Sequence, residues 1–94
     1  MCTYATELIQ IEGSAKGAQG WFRATDATVY FDHPVHFPDG HALLIDIRNP
    51  AKGPQHRVAL ELDARSAREL ADAIYRALAA VPEDLALGES APLA

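Results

Sequence analysis

Apolar and polar side chains alternate along most of the first 62 residues, and the spacing then changes to that of a helix. The alternation divides into four stretches. The first runs from Thr3 to Ile11 and is broken by Gly13-Ser14-Ala15-Lys16-Gly17-Ala18-Gln19-Gly20. The second, Trp21 to about Phe31, is rich in Thr, Val and aromatic residues, which suit a pleated, half-buried surface. Asp32 to His41 carries two prolines and a Pro38-Asp39-Gly40 turn signal, so regular pairing is interrupted there. The third strand spans Ala42 to Arg48. The fourth, Arg57 to Leu62, sends Val58, Leu60 and Leu62 to one side and Ala59 and Glu61 to the other. Beyond it, Ala67, Leu70, Ala71, Ile74, Ala77, Leu78 and Val81 make one helical stripe, with Arg65, Arg68, Glu69, Asp72 and Arg76 opposite. Asp63 or Ser66 is the expected N-cap, and Pro82 the stop.

The pattern predicts an α+β fold: a four-stranded, mainly antiparallel sheet made of two related hairpins, with one C-terminal helix packed on one face. Residues 1–81 are expected to form a single compact domain, and residues 82–94, small and acidic without a pattern, a flexible C-terminal tail.

An internal repeat supports the two-hairpin reading. Leu8 to Gln19 aligns with Leu44 to Gln55 at an offset of 36, with seven of twelve positions identical. Convergence of strand and turn chemistry competes with duplication as its origin. The repeat predicts a strand leading into an Ala-Lys-Gly loop in both copies. It also places Ile9 and Ile11 on the same face as Ile45 and Ile47. Period two then carries Glu7 in strand one and His41 beside strand three to that face.

Composition narrows the classes. The hydrophobic content of 49% is that of a folded domain, and 94 residues suffice for one core. A formal charge of −5 without a basic run opposes docking on phosphate backbones, so no nucleic-acid partner is expected. No apolar stretch approaches the ~20 residues of a membrane-spanning helix, and no signal-peptide pattern opens the chain, so no membrane partner is expected. The single cysteine, Cys2, makes a reducing cytoplasm the expected location.

Candidate chemistry gathers at one end of the sheet. Antiparallel strands alternate direction, so the N-terminus, the 32–41 crossover and the start of the helix share an end, while both Ala-Lys-Gly loops and His56 lie at the other. His33, His36 and His41 fall within nine positions there, and a short hairpin loop would set His36 opposite His41. Three imidazoles are a plausible ligand set for a divalent first-row metal, zinc or iron, with an open position for water. Glu7 is the candidate general base. Cys2, exposed by removal of Met1, is a second catalytic candidate, its thiol acting as nucleophile beside a free α-amine. The competing reading is a polar turn whose histidines are solvated or bonded to backbone. A phosphate-binding loop, a nucleophile elbow and a dinucleotide fingerprint are absent from the sequence.

Met1-Cys2-Thr3-Tyr4, Gly20-Trp21-Phe22, Val29-Tyr30-Phe31-Asp32-His33-Pro34-Val35-His36 and Asn49-Pro50-Ala51-Lys52-Gly53-Pro54 resemble a family of small uncharacterised bacterial proteins, a domain of unknown function opening Met-Cys-Thr. The resemblance implies one compact domain over residues 1–80 and carries no activity. Two functions stand open. One is a histidine-centred, metal-dependent enzyme acting on a small molecule. The other is a non-catalytic homodimeric binding or interaction module without a metal. A homodimer is expected because the second sheet face holds Leu44 with Phe22 or Tyr30 among polar residues.

Overall fold

The fold comes from a computed structural model, which describes residues 4–88. It is α+β. Four strands, β1 (Thr6–Gly17), β2 (Gly20–Asp32), β3 (Ala42–Arg48) and β4 (Arg57–Leu62), form an antiparallel sheet in the order β1-β2-β3-β4. Two helices follow, α1 (Ala64–Ala79) and α2 (Glu83–Gly88). Sheet and helices are two units, divided between Asp63 and Ala64.

Strands β3 and β4 occupy the residues predicted for them, because both alternate without interruption. Strand β1 does not stop at Ile11. It continues through Gly13-Ser14-Ala15-Lys16 and closes on β2 through a two-residue turn, Ala18-Gln19, with Gly17 opposite Gly20. Gly20 takes a φ of 104°, which only glycine adopts without strain. The expected loop over residues 13–20 is therefore mostly strand. What the glycine marks is a bulge: Gln10 pairs with Asp26 and Gly13 with Ala24, so Ile11 and Glu12 together face Thr25.

The two copies of the repeat consequently diverge. Asn49-Pro50-Ala51-Lys52-Gly53 forms the expected turn, as a single 3₁₀ turn over Pro50–Lys52. Asn49 caps it, its Oδ1 accepting from the Ala51 N–H at 3.1 Å. Pro50 stands at the first helical position, where its missing N–H costs nothing. The equivalent residues of the first copy, Gly13 to Gly17, contain no proline and keep pairing.

The register fixes both faces. Glu7, Val29, Ile45 and Leu60 form one row, and Ile9, Ala27, Ile47 and Val58 the next on the same face. The other face carries Thr6, Tyr30, Leu44 and Glu61 in one row and Leu8, Thr28, Asp46 and Ala59 in the next. Past the bulge, Gly13 and Ala15 of β1 join this second face through Ala24 and Phe22.

The sheet curls toward that second, inner face. A side chain added at Gly17 would lie 3.3 Å from the Arg57 carbonyl oxygen and 3.3 Å from the Phe22 ring, so the end of β1 closes onto the start of β4. The most buried large side chains, Phe22 and Leu44, sit on the inner face with Ala24 and Ala42, while Ala27 is buried on the outer one. Ile9, which shares the outer face with Ile45 and Ile47 as the repeat predicts, is 51% exposed. Asn49 is the buried polar residue among those described. It donates from Nδ2 to the Arg23 carbonyl at 2.9 Å, so the 3₁₀ turn is stitched to β2.

In the helical unit, α1 carries the predicted stripe, and an Arg65–Glu69 pair at 3.3 Å lies one turn apart on its polar side. Leu70, Ile74 and Leu78 on the stripe remain exposed. The segment after Pro82, which looks patternless in sequence, begins as α2. Glu83 and Asp84 stand in its first turn, where acidic side chains complement the free N–H groups.

Candidate functional site

At the expected histidine end, the ladder closes at Asp32 opposite Ala42, and residues 33–41 form an irregular loop. The expected hairpin pair of His36 with His41 does not form. Continuing the β2–β3 ladder one step past Asp32 and Ala42 sets His33 against His41, and their rings stand 4.5 Å apart between centroids. The Phe31 ring stacks on His41 at 5.8 Å with 6° between planes, and Tyr4 lies 6.2 Å from both rings. Chain direction thus brings the start of β1 and the loop to one end, as strand alternation requires. Glu7 stands on the outer face opposite Val29 and is exposed. Cys2 lies outside the described residues. Among the described residues, no group of three or more His, Cys, Asp or Glu side chains is arranged to hold a metal ion.

His36 is drawn elsewhere by a residue that the sequence pattern marks only as an outward carboxylate. Glu61 of β4 accepts three consecutive backbone N–H groups of the loop, from Val35 at 2.5 Å, His36 at 2.9 Å and Phe37 at 2.7 Å. The Phe37 N–H holds the Glu61 carboxyl below its ordinary range. Burial opposes this, and the Val35 and His36 N–H groups and the His36 charge add to it. The loop is thereby folded back over the inner face at the β4 edge.

Beneath it lies a pocket of about 490 Å³, with Leu44 as its floor and Phe37, Tyr30, Asp46, Arg57 and Ala59 around it. The polar groups are linked. Arg57 donates to Asp46 Oδ1 from Nε at 3.0 Å and from Nη2 at 2.7 Å, and the Tyr30 hydroxyl donates to Asp46 Oδ2 at 3.3 Å. Burial first, and then the Asp46 carboxylate, push the Tyr30 hydroxyl above its usual pKa. Asp46 is largely covered, whereas the Arg57 side chain is about half exposed, leaving guanidinium edges free beyond the ion pair. This is an apolar cup with a few fixed polar groups, the usual make-up of a small-molecule site.

No signal in the linear pattern singles out Tyr30, Asp46 and Arg57 as a set. Their common inner face does follow from period two once the register is known: Tyr30 pairs with Leu44, and Asp46 with Ala59. The far-end grouping behaves as predicted, with His56 next to the 3₁₀ turn and edge-on to Phe22 at 5.6 Å.

Fold and site define a small α+β protein built on a curled four-stranded sheet, with a preformed pocket on the inner face. The chain belongs to the family of unknown function DUF6295, which it matches over residues 1–87. No curated protein and no solved structure matches it.

Proposed function

We propose that this protein is a binding module that takes a small, largely apolar molecule on the inner sheet face and works as a homodimer. The observation that carries the reading is the hydrogen-bonded chain Tyr30–Asp46–Arg57 over an apolar floor, roofed by a loop that Glu61 anchors. Such a site is organised before a ligand arrives, which lowers the ordering cost of binding. The Tyr30 hydroxyl and the free Arg57 edges would orient a ligand carbonyl, and Leu44 and Phe37 would enclose its apolar body. The test is an amide NMR titration of the full chain with benzamide as a probe. Shifts clustered at Tyr30, Leu44, Asp46 and Ala59, lost in Ala59→Trp, support the reading. Shifts that ignore these residues, or that persist unchanged in Ala59→Trp, overturn it.

One observation favours the second reading, a metal-dependent enzyme acting on a small molecule: the 4.5 Å approach of His33 and His41. Two imidazoles that close suit adjacent positions around one zinc or iron ion, with Glu7, at the start of β1, and Cys2 as the candidate catalytic groups. Metal analysis of protein purified without a histidine tag decides. Near-stoichiometric metal that His41→Ala abolishes supports this reading, and folded protein with none refutes it.

A further inference from the structure

Two arginines stand side by side on the inner face, Arg57 in an ion pair with Asp46 and Arg48 in register with Asp26. Arg48 of β3 is in direct register with Arg57 of β4. Like charges directly opposite across a ladder are destabilising, and here they occur in a chain of net charge −5 with only eight Lys and Arg residues. Arg57 is paired with Asp46. Arg48 donates from Nη2 to the Thr28 hydroxyl at 2.8 Å, and the ion pairs among the described residues do not include it. A hydroxyl satisfies one N–H, and Asp26, opposite Arg48 across the ladder, is in none of the ion pairs either.

A second pocket, of about 360 Å³, opens beside the pair and is walled by Asn49, Pro50, Pro54 and His56 together with both arginines. Its frame is rigid. Asn49 is committed to Arg23 and Ala51, the prolines have fixed φ, and Gly53, at φ 102°, ends the 3₁₀ turn. His56 Nδ1 is buried and has no hydrogen-bond partner among the described residues. A buried nitrogen left unpaired costs free energy, and a ligand oxygen in this pocket would satisfy it.

We propose that the pocket between Arg48, Arg57 and His56 is an oxyanion site, taking a small carboxylate or phosphate group. Guanidinium groups bind both in a bidentate manner, and the anion would occupy Arg48 N–H groups that the Thr28 hydroxyl does not engage. An N–H at His56 Nδ1 would then donate to one of its oxygens. The site stands independently of the pocket under the Glu61-anchored loop, and the two share only the Arg57 wall.

The experiment is a titration of the full chain at constant ionic strength with inorganic phosphate, with acetate, and with chloride as control. It is read at the side-chain Nε–H signals of Arg48 and Arg57 and at the His56 ring. Saturable shifts with phosphate or acetate but not chloride support the site, and the tighter of the two anions identifies the source of the oxyanion. Arg48→Gln is expected to weaken that binding at least tenfold. His56→Phe, which keeps a ring against Phe22 and removes the nitrogens, is expected to weaken it severalfold while the fold persists. Shifts no larger than those with chloride, or binding unchanged in Arg48→Gln, overturn the proposal. Binding unchanged in His56→Phe removes His56 from the site and overturns the proposal as stated. Anion shifts confined to Tyr30 and Leu44 overturn it as well, and leave the inner-face pocket as the binding site.

Discussion

A carboxylate that accepts three consecutive N–H groups holds a loop by charge-assisted hydrogen bonds, which a neutral acceptor makes more weakly. Glu61 is such a residue, and its carboxyl is held below the ordinary range by those bonds. A group whose folded pKa is lowered contributes stability that is fully present above its unfolded pKa and is lost as pH falls through the folded one. The amide resonances of Val35, His36 and Phe37 are therefore expected to titrate together, with a midpoint below 4.5, the ordinary value for a free glutamate. A common midpoint at or above that value would show that the anchor is absent in solution. Glu61→Gln keeps the shape but loses the charge, so it should speed exchange of these three amides at neutral pH. Asn49 offers a second test at this scale. It is 4% exposed, and its side chain bridges β2 and the 3₁₀ turn. Asn49→Ala leaves the Arg23 carbonyl and the Ala51 N–H unpaired, a loss of about 1–3 kcal/mol in urea unfolding.

Among the elements, β1 is the one whose length and shape the curl depends on. The bulge at Ile11 and Glu12 turns the strand, and Gly17 then passes so near Arg57 and Phe22 that an added Cβ would stand 3.3 Å from each, tighter than ordinary contact. Gly17→Val is expected to cost about 1–3 kcal/mol through overpacking. Gly13→Val, where an added Cβ meets nothing within 4 Å, should cost far less in the same urea titration. Equal losses would mean that the closure of β1 on β4 contributes no constraint. The contrast between these glycines also explains how far the sequence could be read. Strands β3 and β4 were legible to the residue because their alternation is unbroken. The extension of β1 was not, because Gly13, Gly17 and Gly20 look alike in sequence, while one sits beside a bulge, one at a close approach and one at a turn. The prolines carry the distinction: Pro50 and Pro54 break the second copy of the repeat, and Ser14 and Ala18 do not break the first. At the site, the pairing of His33 with His41 follows from extending the ladder past Asp32 and Ala42, whereas loop length alone points to His36. Glu61 was illegible because its partners lie 24 to 26 residues away in a segment without periodicity.

At the scale of the whole molecule, five apolar residues among those described are buried, three of them alanines, in a chain that is 49% hydrophobic. In the sheet unit, Ile9, Trp21 and Leu60 are 51%, 70% and 43% exposed, and all three stand on the outer face or its continuation past the bulge. In the helical unit, Ile74 and Leu78 are 53% and 54% exposed. Small domains have little stability to spare, and apolar surface of this kind gains about 25 cal/mol per Å² when a second copy covers it. The homodimer proposed above would gain stability by covering such surface. Light scattering at micromolar concentration should give twice the 10.2 kDa chain mass. Because only the folded dimer gains from association, each tenfold rise in concentration should add about 1.4 kcal/mol, so the melting temperature should climb with concentration. The double variant Ile9→Glu, Trp21→Glu sets charge on the outer face and its continuation at positions that do not line the inner pocket, and it should lower the mass toward that of the monomer while the strand signal in circular dichroism is retained. A wild-type mass of 10.2 kDa together with a melting temperature independent of concentration would refute the dimer. The inner-face pocket would then have to be tested as the site of a monomer, since all of its lining comes from a single sheet unit.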